Sequence, residues 1–387
     1  MQTASTMSEE MQPVRLGLAG TGFIGRIHWM CYRALSGIYA EPPARVMFDT
    51  VYTSHPNEAD RFEFSRALPY NSISSTCAQI DMLDVCTLNA AHHSLVEAAV
   101  AAHVPVYCEK PVDLSGELTL ELARKADDAG VLNQTALVYR FLPAMAAARA
   151  IVRTGVIGNV VTWRAVLLHA SYLNTQRAMT WRLSRKESGG GALVDLGLHM
   201  VDAVRMVIGE FEAVRCVTRT VVGERPSTGG PDGMARVDVD DWALVTADLV
   251  NGSTGTIEVS RVHAGREGAF AFEVFGTKGS VTVDLQRGRA VIMDAASRDV
   301  TQDIVLDDPW VTYLKTAFPS SKMSMGLMCD MHAASIYTFL DGCTGGDVGF
   351  AARPTLAEAG WTHRVVDACY QSADTGNRVD VQRPQAS

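Results

Sequence analysis

Residues Val14 to Ala19 form a short apolar run that ends in Gly20-Thr21-Gly22-Phe23-Ile24-Gly25, after which apolar residues recur at helical spacing. Few sequence features limit a fold more. A strand that must turn tightly into a helix needs Gly20 for the turn. Gly22 lets the backbone approach a pyrophosphate, and Gly25 lets the helix pack closely while its N-terminus attracts the anion. The pattern predicts a dinucleotide-binding βαβ unit, with Gly20, Gly22, Phe23, Ile24 and Gly25 against the cofactor.

The next segments agree. Short strands are expected at "ARVMFDTVYT", "DVCTLN" and "VPVYCEKP", with a helix at "HHSLVEAAVAAH" among the connections. Alternating strands and helices imply a doubly wound parallel sheet covered on both faces, with ligands gathered beyond the strand C-terminal ends. That rule brings Asn89 and the Glu109-Lys110-Pro111 turn beside the glycine loop. A ribose-binding carboxylate is expected near the end of the second strand. Asp49 falls too early, leaving Thr53, Ser54 and His55 at the ribose. No carboxylate repels a 2′-phosphate there and no obvious arginine adjoins it, so NAD and NADP are both open.

From about Gly158 the pattern changes to alternating strands, from "VVTWRAVLLHA" to "SVTVDL", with a hairpin at "FGTKGSV". The expected fold class is therefore α/β. Residues 13–140 form a Rossmann domain, and residues 141–387 form an α+β domain with an open, largely antiparallel sheet for substrate binding and oligomerisation. Residues 1–12 read as a disordered tail. Two polar connections, residues 172 to 190 and "GERPSTGGPDG", are long enough to be binding loops.

Composition excludes several classes of function. The chain has 387 residues, 47% hydrophobic and 20% charged, with 34 basic against 43 acidic residues and a net charge of -9. No dense basic stripe is present, so nucleic acid is not an expected partner. No uncharged apolar stretch would cross a bilayer, and the start has no basic region followed by an apolar run. Eight scattered cysteines show no metal-ligand spacing. No metal is expected, and a cytoplasmic location with reduced thiols is.

One stretch of the second half needs a special explanation. "GGGALVDLGLHMVD", residues 189 to 202, carries Asp195, His199 and Asp202 in an apolar helix at spacings of four and three, which put them on one face. Buried polar groups need partners. The stripe is either a satisfied structural network or the wall of a cavity, and this segment alone does not choose between them.

Taken together, "GLAGTGFIGRIH", "CTLNAAHH", "CEKP", "YRFLP", "GGGALVDLGLHMVD" and "FGTKGS" resemble the ordered landmarks of the glucose-fructose oxidoreductase, inositol dehydrogenase and MocA superfamily. The likeness runs from about Val14 to the C-terminus, with Leu88 where the superfamily usually has proline. The resemblance implies that Lys110, Asp195 and His199 converge at the nicotinamide ring. His199 would act as general base, Lys110 would stabilise the alkoxide, and Asp195 would orient the hydroxyl or the lysine. It also implies that His92 borders the cofactor, with Glu109 beside it. Directed arginine donors and a flat tryptophan face make Arg140, Trp181 and Arg182 contacts to substrate or cofactor phosphate, with Trp181 and Arg182 assigned to cofactor and Arg140 to substrate. Asp202 is read as a helix anchor.

The activity so implied is NAD(P)-dependent hydride transfer at a secondary hydroxyl or ketone of a sugar, glycoside or cyclitol, the sugar 3-position included, in a homo-oligomer (dimer or tetramer). Reduction of a keto sugar-nucleotide or of an imine or biliverdin-type substrate is the enzymatic alternative. A catalytically silent redox sensor is the other, and it would need no proton carrier such as His199.

Overall fold

The computed structural model describes residues 13–55, 57–228, 233–265, 268–350 and 352–382. The tail expected over residues 1–12 lies outside them, as do residues 229–232 of the Gly/Pro-rich connection.

Six parallel strands make the first sheet: β1 (Pro13–Ala19), β2 (Arg45–Tyr52), β3 (Arg66–Leu68), β4 (Met82–Val85), β5 (Val106–Cys108) and β6 (Asn133–Thr135). Their order is β3-β2-β1-β4-β5-β6. The chain starts in the middle and winds outward first to one side and then to the other, so the order reverses at the boundary between β1 and β4. A crevice opens at that switch point, beyond the strand C-terminal ends. Helices Phe23–Ile38, Asn89–Ala101 and Gly116–Asp128 supply crossovers, and Ser115 caps the last by accepting the Leu118 amide at 3.3 Å.

The second sheet contains β7 (Val160–Leu168), β8 (Phe211–Arg219), β11 (Trp242–Leu249), β12 (Thr254–Ser260), β13 (Ala269–Gly276), β14 (Gly279–Asp284), β15 (Arg289–Asp294) and β16 (Val379–Asp380), in the order β15-β14-β13-β7-β12-β11-β8-β16. Its pairs are antiparallel except β7 with β12. The glycine turn at residues 276–279 joins β13 to β14 as a hairpin, with Phe275 opposite Ser280. The Gly/Pro-rich connection folds partly into a two-stranded hairpin, β9 (Glu224–Pro226) with β10 (Met234–Arg236).

The last helices return to the first sheet. Helix Leu327–Cys343 packs on Phe23–Ile38, and helix Leu356–Thr375 packs on Gly116–Asp128 and on β8. Polar ties accompany the packing: Tyr107 Oη and Ser335 Oγ are 2.8 Å apart, and the Thr135 amide donates to the Pro354 carbonyl at 2.8 Å. One contiguous apolar core therefore runs from Leu16 of β1 to Cys369 of the last long helix. No described helix is long and apolar enough to cross a membrane.

Candidate active site

The glycine loop shows why each of its glycines is there. Gly20 has φ +102°, and a Cβ on it would lie 2.6 Å from the Cys86 carbonyl oxygen. A Cβ on Gly25 would lie 2.1 Å from the Gly20 carbonyl oxygen, so the helix approaches its own entry turn too closely for any side chain. Gly22 differs: a Cβ there meets nothing within 4 Å. It faces a cleft of about 840 Å³ that Gly20, Phe23, Ile24, Thr53 and Ser54 also line, together with Trp181 and Arg182 from the second half. Helix Phe23–Ile38 starts at Gly22 with no side-chain cap and no acidic residue in its first turn. Its first amides are left for an anion, so a pyrophosphate fits this cradle.

A smaller pocket is lined by Asn89, Lys110, Asp195 and Arg261, and it shares Trp181 and Arg182 with the cleft. Lys110 follows β5 and carries the central contact. Its Nζ donates to Asp195 Oδ1 at 2.9 Å and to the Asp195 carbonyl at 2.8 Å. Burial would raise the Asp195 pKa, but Lys110, then Arg261 and Arg182, outweigh it and hold the carboxylate below its ordinary range. Asn89, the first residue of helix Asn89–Ala101, donates to the Ser188 carbonyl at 2.8 Å and so ties that helix to the short helix Arg185–Ser188 that leads into this pocket.

His199 is 9% exposed, and its ring lies 5.1 Å from that of Tyr139, which stacks on Phe270. Burial, and then the Lys110 cation, push its pKa down to about 3. The imidazole is therefore neutral near pH 7. Its buried Nδ1 has no partner among the described residues.

Asp195, His199 and Asp202 do not lie on one regular helix, as their spacing predicts. Leu193–Gly197 is a π-helical turn that leads into the α-helix Leu198–Val207. The wider winding places Asp195 near one full turn from His199, a distortion often found at functional sites. Asp240 holds the start of this element: its carboxylate accepts the Gly191 amide at 2.9 Å, the Leu193 amide at 2.8 Å and the Tyr370 hydroxyl at 2.6 Å. A Cβ on Gly191 would sit 1.8 Å from the Asp240 carbonyl oxygen, which accounts for glycine there.

Three sequence expectations need correction. Arg140 does not reach a substrate; it is 1% exposed. Its Nε and Nη2 donate to Asp202 at 2.8 and 2.6 Å, Nη2 also to Glu358 at 2.8 Å, and Nη1 to the Ala352 carbonyl at 3.2 Å. Every donor group is committed, because a guanidinium this deep is stable only when paired. His92 does not line the cleft either, since its ring nitrogens face the Pro111 carbonyl at 2.7 Å and the Thr87 carbonyl at 3.1 Å. It braces the two loops that do line the pockets.

Glu109 is the third. Its Oε1 lies 3.2 Å from His28 Nε2 and 3.4 Å from His332 Nε2, and its Oε2 accepts the Lys110 amide at 3.2 Å. Burial would raise the Glu109 pKa, but the two imidazoles drive it well below the carboxylate range. His28 also donates to Asp84 at 2.9 Å. Burial alone would lower the His28 pKa, yet Asp84 and then Glu109 carry it to about 10. A buried chain Asp84–His28–Glu109–His332 thus sits behind Lys110 and holds its backbone. Sequence reasoning missed His28, Asp84, His332, Asp240 and Arg261. Only His28 had a local signal, three residues after Gly25 on the face turned to the sheet.

The chain matches two family models: the oxidoreductase family NAD-binding Rossmann fold over residues 14–136, and the GFO/IDH/MocA C-terminal domain over residues 145–282. It is 31% identical over 297 residues to levoglucosan dehydrogenase of Pseudarthrobacter phenanthrenivorans, spanning 72% of this chain and 75% of that protein. It is 28% identical over 272 residues to inositol 2-dehydrogenase of Acidothermus cellulolyticus, spanning 70% of this chain and 72% of that protein. The solved structure of levoglucosan dehydrogenase in complex with NADH and levoglucosan superposes with a TM-score of 0.83 at 28% identity, covering 96% of this chain and 100% of that one. With the glycine cradle and the paired Lys110 and Asp195 already described, these matches establish that the chain belongs to the GFO/IDH/MocA family of nicotinamide-dependent oxidoreductases.

Proposed function

We propose that this oxidoreductase moves a hydride between NAD(P) and a secondary hydroxyl or ketone of a sugar, with anhydrosugars first, then glycosides and cyclitols. The single observation that carries the reading is the 2.9 Å contact of Lys110 with Asp195 in a pocket that adjoins the nucleotide cleft, with a neutral, buried His199 under the field of the same lysine. The bound nicotinamide supplies a two-electron acceptor or donor at one ring carbon. The remaining chemistry belongs to the protein.

His199 accepts the hydroxyl proton as the C–H bond breaks and returns it when the reaction runs toward reduction. Lys110 presents a positive charge to the oxygen on which negative charge develops. In a water-poor pocket that stabilisation exceeds its value in solution. Asp195 holds the ammonium in place and accepts a hydrogen bond from a substrate hydroxyl. Trp181, with the Arg182 guanidinium 4.4 Å over its ring, lines both the cleft and the smaller pocket and offers a flat apolar surface to a bound ligand.

Val161, Val217, Leu244 and Phe275 are exposed on strands of the second sheet. They support a homo-oligomer that covers this face.

The test is purified protein incubated with NAD or NADP and levoglucosan, myo-inositol or a methyl glucoside while absorbance of the reduced nicotinamide is followed. Turnover of at least one, lost in Lys110→Ala, supports the reading. Nucleotide binding with no turnover across the panel in either direction would sink it.

A further inference from the structure

Arg140 and Arg261 are equally deep in the protein, each 1% exposed, yet their donors fare differently. Arg140 commits every donor group to Asp202, Glu358 and the Ala352 carbonyl, as a buried guanidinium must. Arg261 makes one side-chain hydrogen bond among the described residues, from Nη2 to the Asp240 carbonyl at 3.0 Å, and its Nε is buried with no partner. Asp241 Oδ1 lies 3.9 Å from Nη2, beyond hydrogen-bond reach, because the Val221 and Val222 amides hold the other oxygen of that carboxylate at 2.8 and 3.0 Å. A buried cation with most of its N–H groups unfilled needs an acceptor from outside the chain.

The position of Arg261 shows where that acceptor enters. It directly follows β12, whose end pairs with the end of β7 at Ser260 and Leu168, and it lines the pocket of Lys110 and Asp195. Two contacts fix it there. The guanidinium lies 4.4 Å over the Tyr172 ring, which leaves its edge for a ligand. Asp240, whose carbonyl accepts from Nη2, also holds the Gly191 and Leu193 amides at the entry to the π-helical turn, so Arg261 is set relative to Asp195 by one shared residue. The charged groups that line the pocket are Lys110, Arg182, Arg261 and Asp195. Asp195 pairs with Lys110 at 2.9 Å, so no acid among the described lining residues is left for the arginines. A guanidinium edge presents two parallel N–H groups to a carboxylate and bonds it more strongly than a neutral oxygen.

We infer that Arg261 is a specificity-determining residue that binds a carboxylate on the sugar, so that the preferred substrate class is an acidic sugar or its glycoside, with neutral sugars as poorer substrates. This rests on reading the pocket of Lys110 and Asp195 as the site of hydride transfer. It goes beyond that reading by naming the charge the substrate carries and the residue that meets it.

The test is steady-state kinetics of the full chain on two matched pairs, methyl glucoside with its uronic acid counterpart and galactose with galacturonate. Within each pair the sugars differ only in a carboxylate for the C6 hydroxymethyl group. In at least one pair the acid should show a KM roughly tenfold lower, the difference between a charge-assisted and a neutral hydrogen bond. Arg261→Gln should raise KM for that acid roughly tenfold more than for its neutral partner, and Arg261→Lys, which keeps the charge, should retain part of the preference. A merely structural arginine would shift both members of a pair alike, and so would a variant with a damaged fold. Equal KM values or a lower KM for the neutral sugar in both pairs of the natural chain, or parallel shifts in both variants, would overturn the inference while leaving the hydride-transfer reading in place. No turnover of these four sugars, of levoglucosan or of myo-inositol would instead remove that reading, and the inference with it.

Discussion

Lys110 Nζ lies within 2.9 Å of both the side-chain and the main-chain oxygen of Asp195, so one ammonium joins the end of β5 to the π-helical turn of the second half. Residues 85 positions apart in the chain thereby share one charge-assisted contact. The buried Glu109 chain behind it fixes the lysine backbone, and Asp240 fixes the turn. Neither side of the contact can shift without disturbing a second network.

Lys110→Ala should therefore lower kcat by about a hundredfold or more, the size typical of losing one charge-stabilising donor. Nucleotide affinity should stay within about threefold, because Lys110 does not line the larger cleft. Asp195→Asn keeps the shape and should reduce kcat less. Steady-state kinetics with nucleotide titration separates the two effects. A parallel loss of affinity and kcat in Lys110→Ala would assign the lysine to binding.

The glycine loop predicts an asymmetry between neighbouring alanine variants. In Gly25→Ala the new Cβ would meet the Gly20 carbonyl oxygen at 2.1 Å, so the turn must open, at a cost of about 1–3 kcal/mol. In Gly22→Ala the Cβ enters open space, so stability should be nearly unchanged while nucleotide affinity falls, since the methyl occupies the anion cradle. Thermal melts and nucleotide titrations of both variants check this. Equal melting temperatures would remove the distinction between packing and binding glycines.

His199 makes stability depend on pH. Its folded pKa is about 3, below the unfolded value of about 6.5. Between these values the unfolded chain binds the extra proton, so stability rises with pH in that window and is lost as pH falls through it. From about pH 7 to about pH 5 this one residue should cost about 2 kcal/mol. Urea midpoints of the natural chain and His199→Asn at both pH values provide the measurement. The variant should lose less stability on acidification, and identical losses would show that the imidazole is not buried neutral.

Arg140→Met tests the reassignment of that arginine. Removing it strands Asp202 in the core, which should cost about 3–5 kcal/mol. The double variant Arg140→Met with Asp202→Leu should recover much of the loss by removing the unpaired charge. Unchanged stability in the single variant, together with a raised KM for the sugar, would return Arg140 to the substrate site.

How much of this was legible in the sequence varies with the range of the interaction. The glycine turn, the strand and helix order of the first half and the β13–β14 hairpin could all be read from residues close together, and the ordered landmarks pointed to Lys110 and Asp195, which the fold brings into contact. Backbone sterics and hydrophobic periodicity are local, so they are written along the chain. Partnership is not. Arg140 looked like a ligand because arginine offers five directed donors wherever it stands, and only folding brought Asp202 and Glu358 up to take them. Glu109 likewise became a support for Lys110 only because helix Leu327–Cys343 returns His332 to the first sheet. The pKa of His199 was equally out of reach, since a titrating group responds to burial and to the charges around it, and both are set by the packing of distant segments.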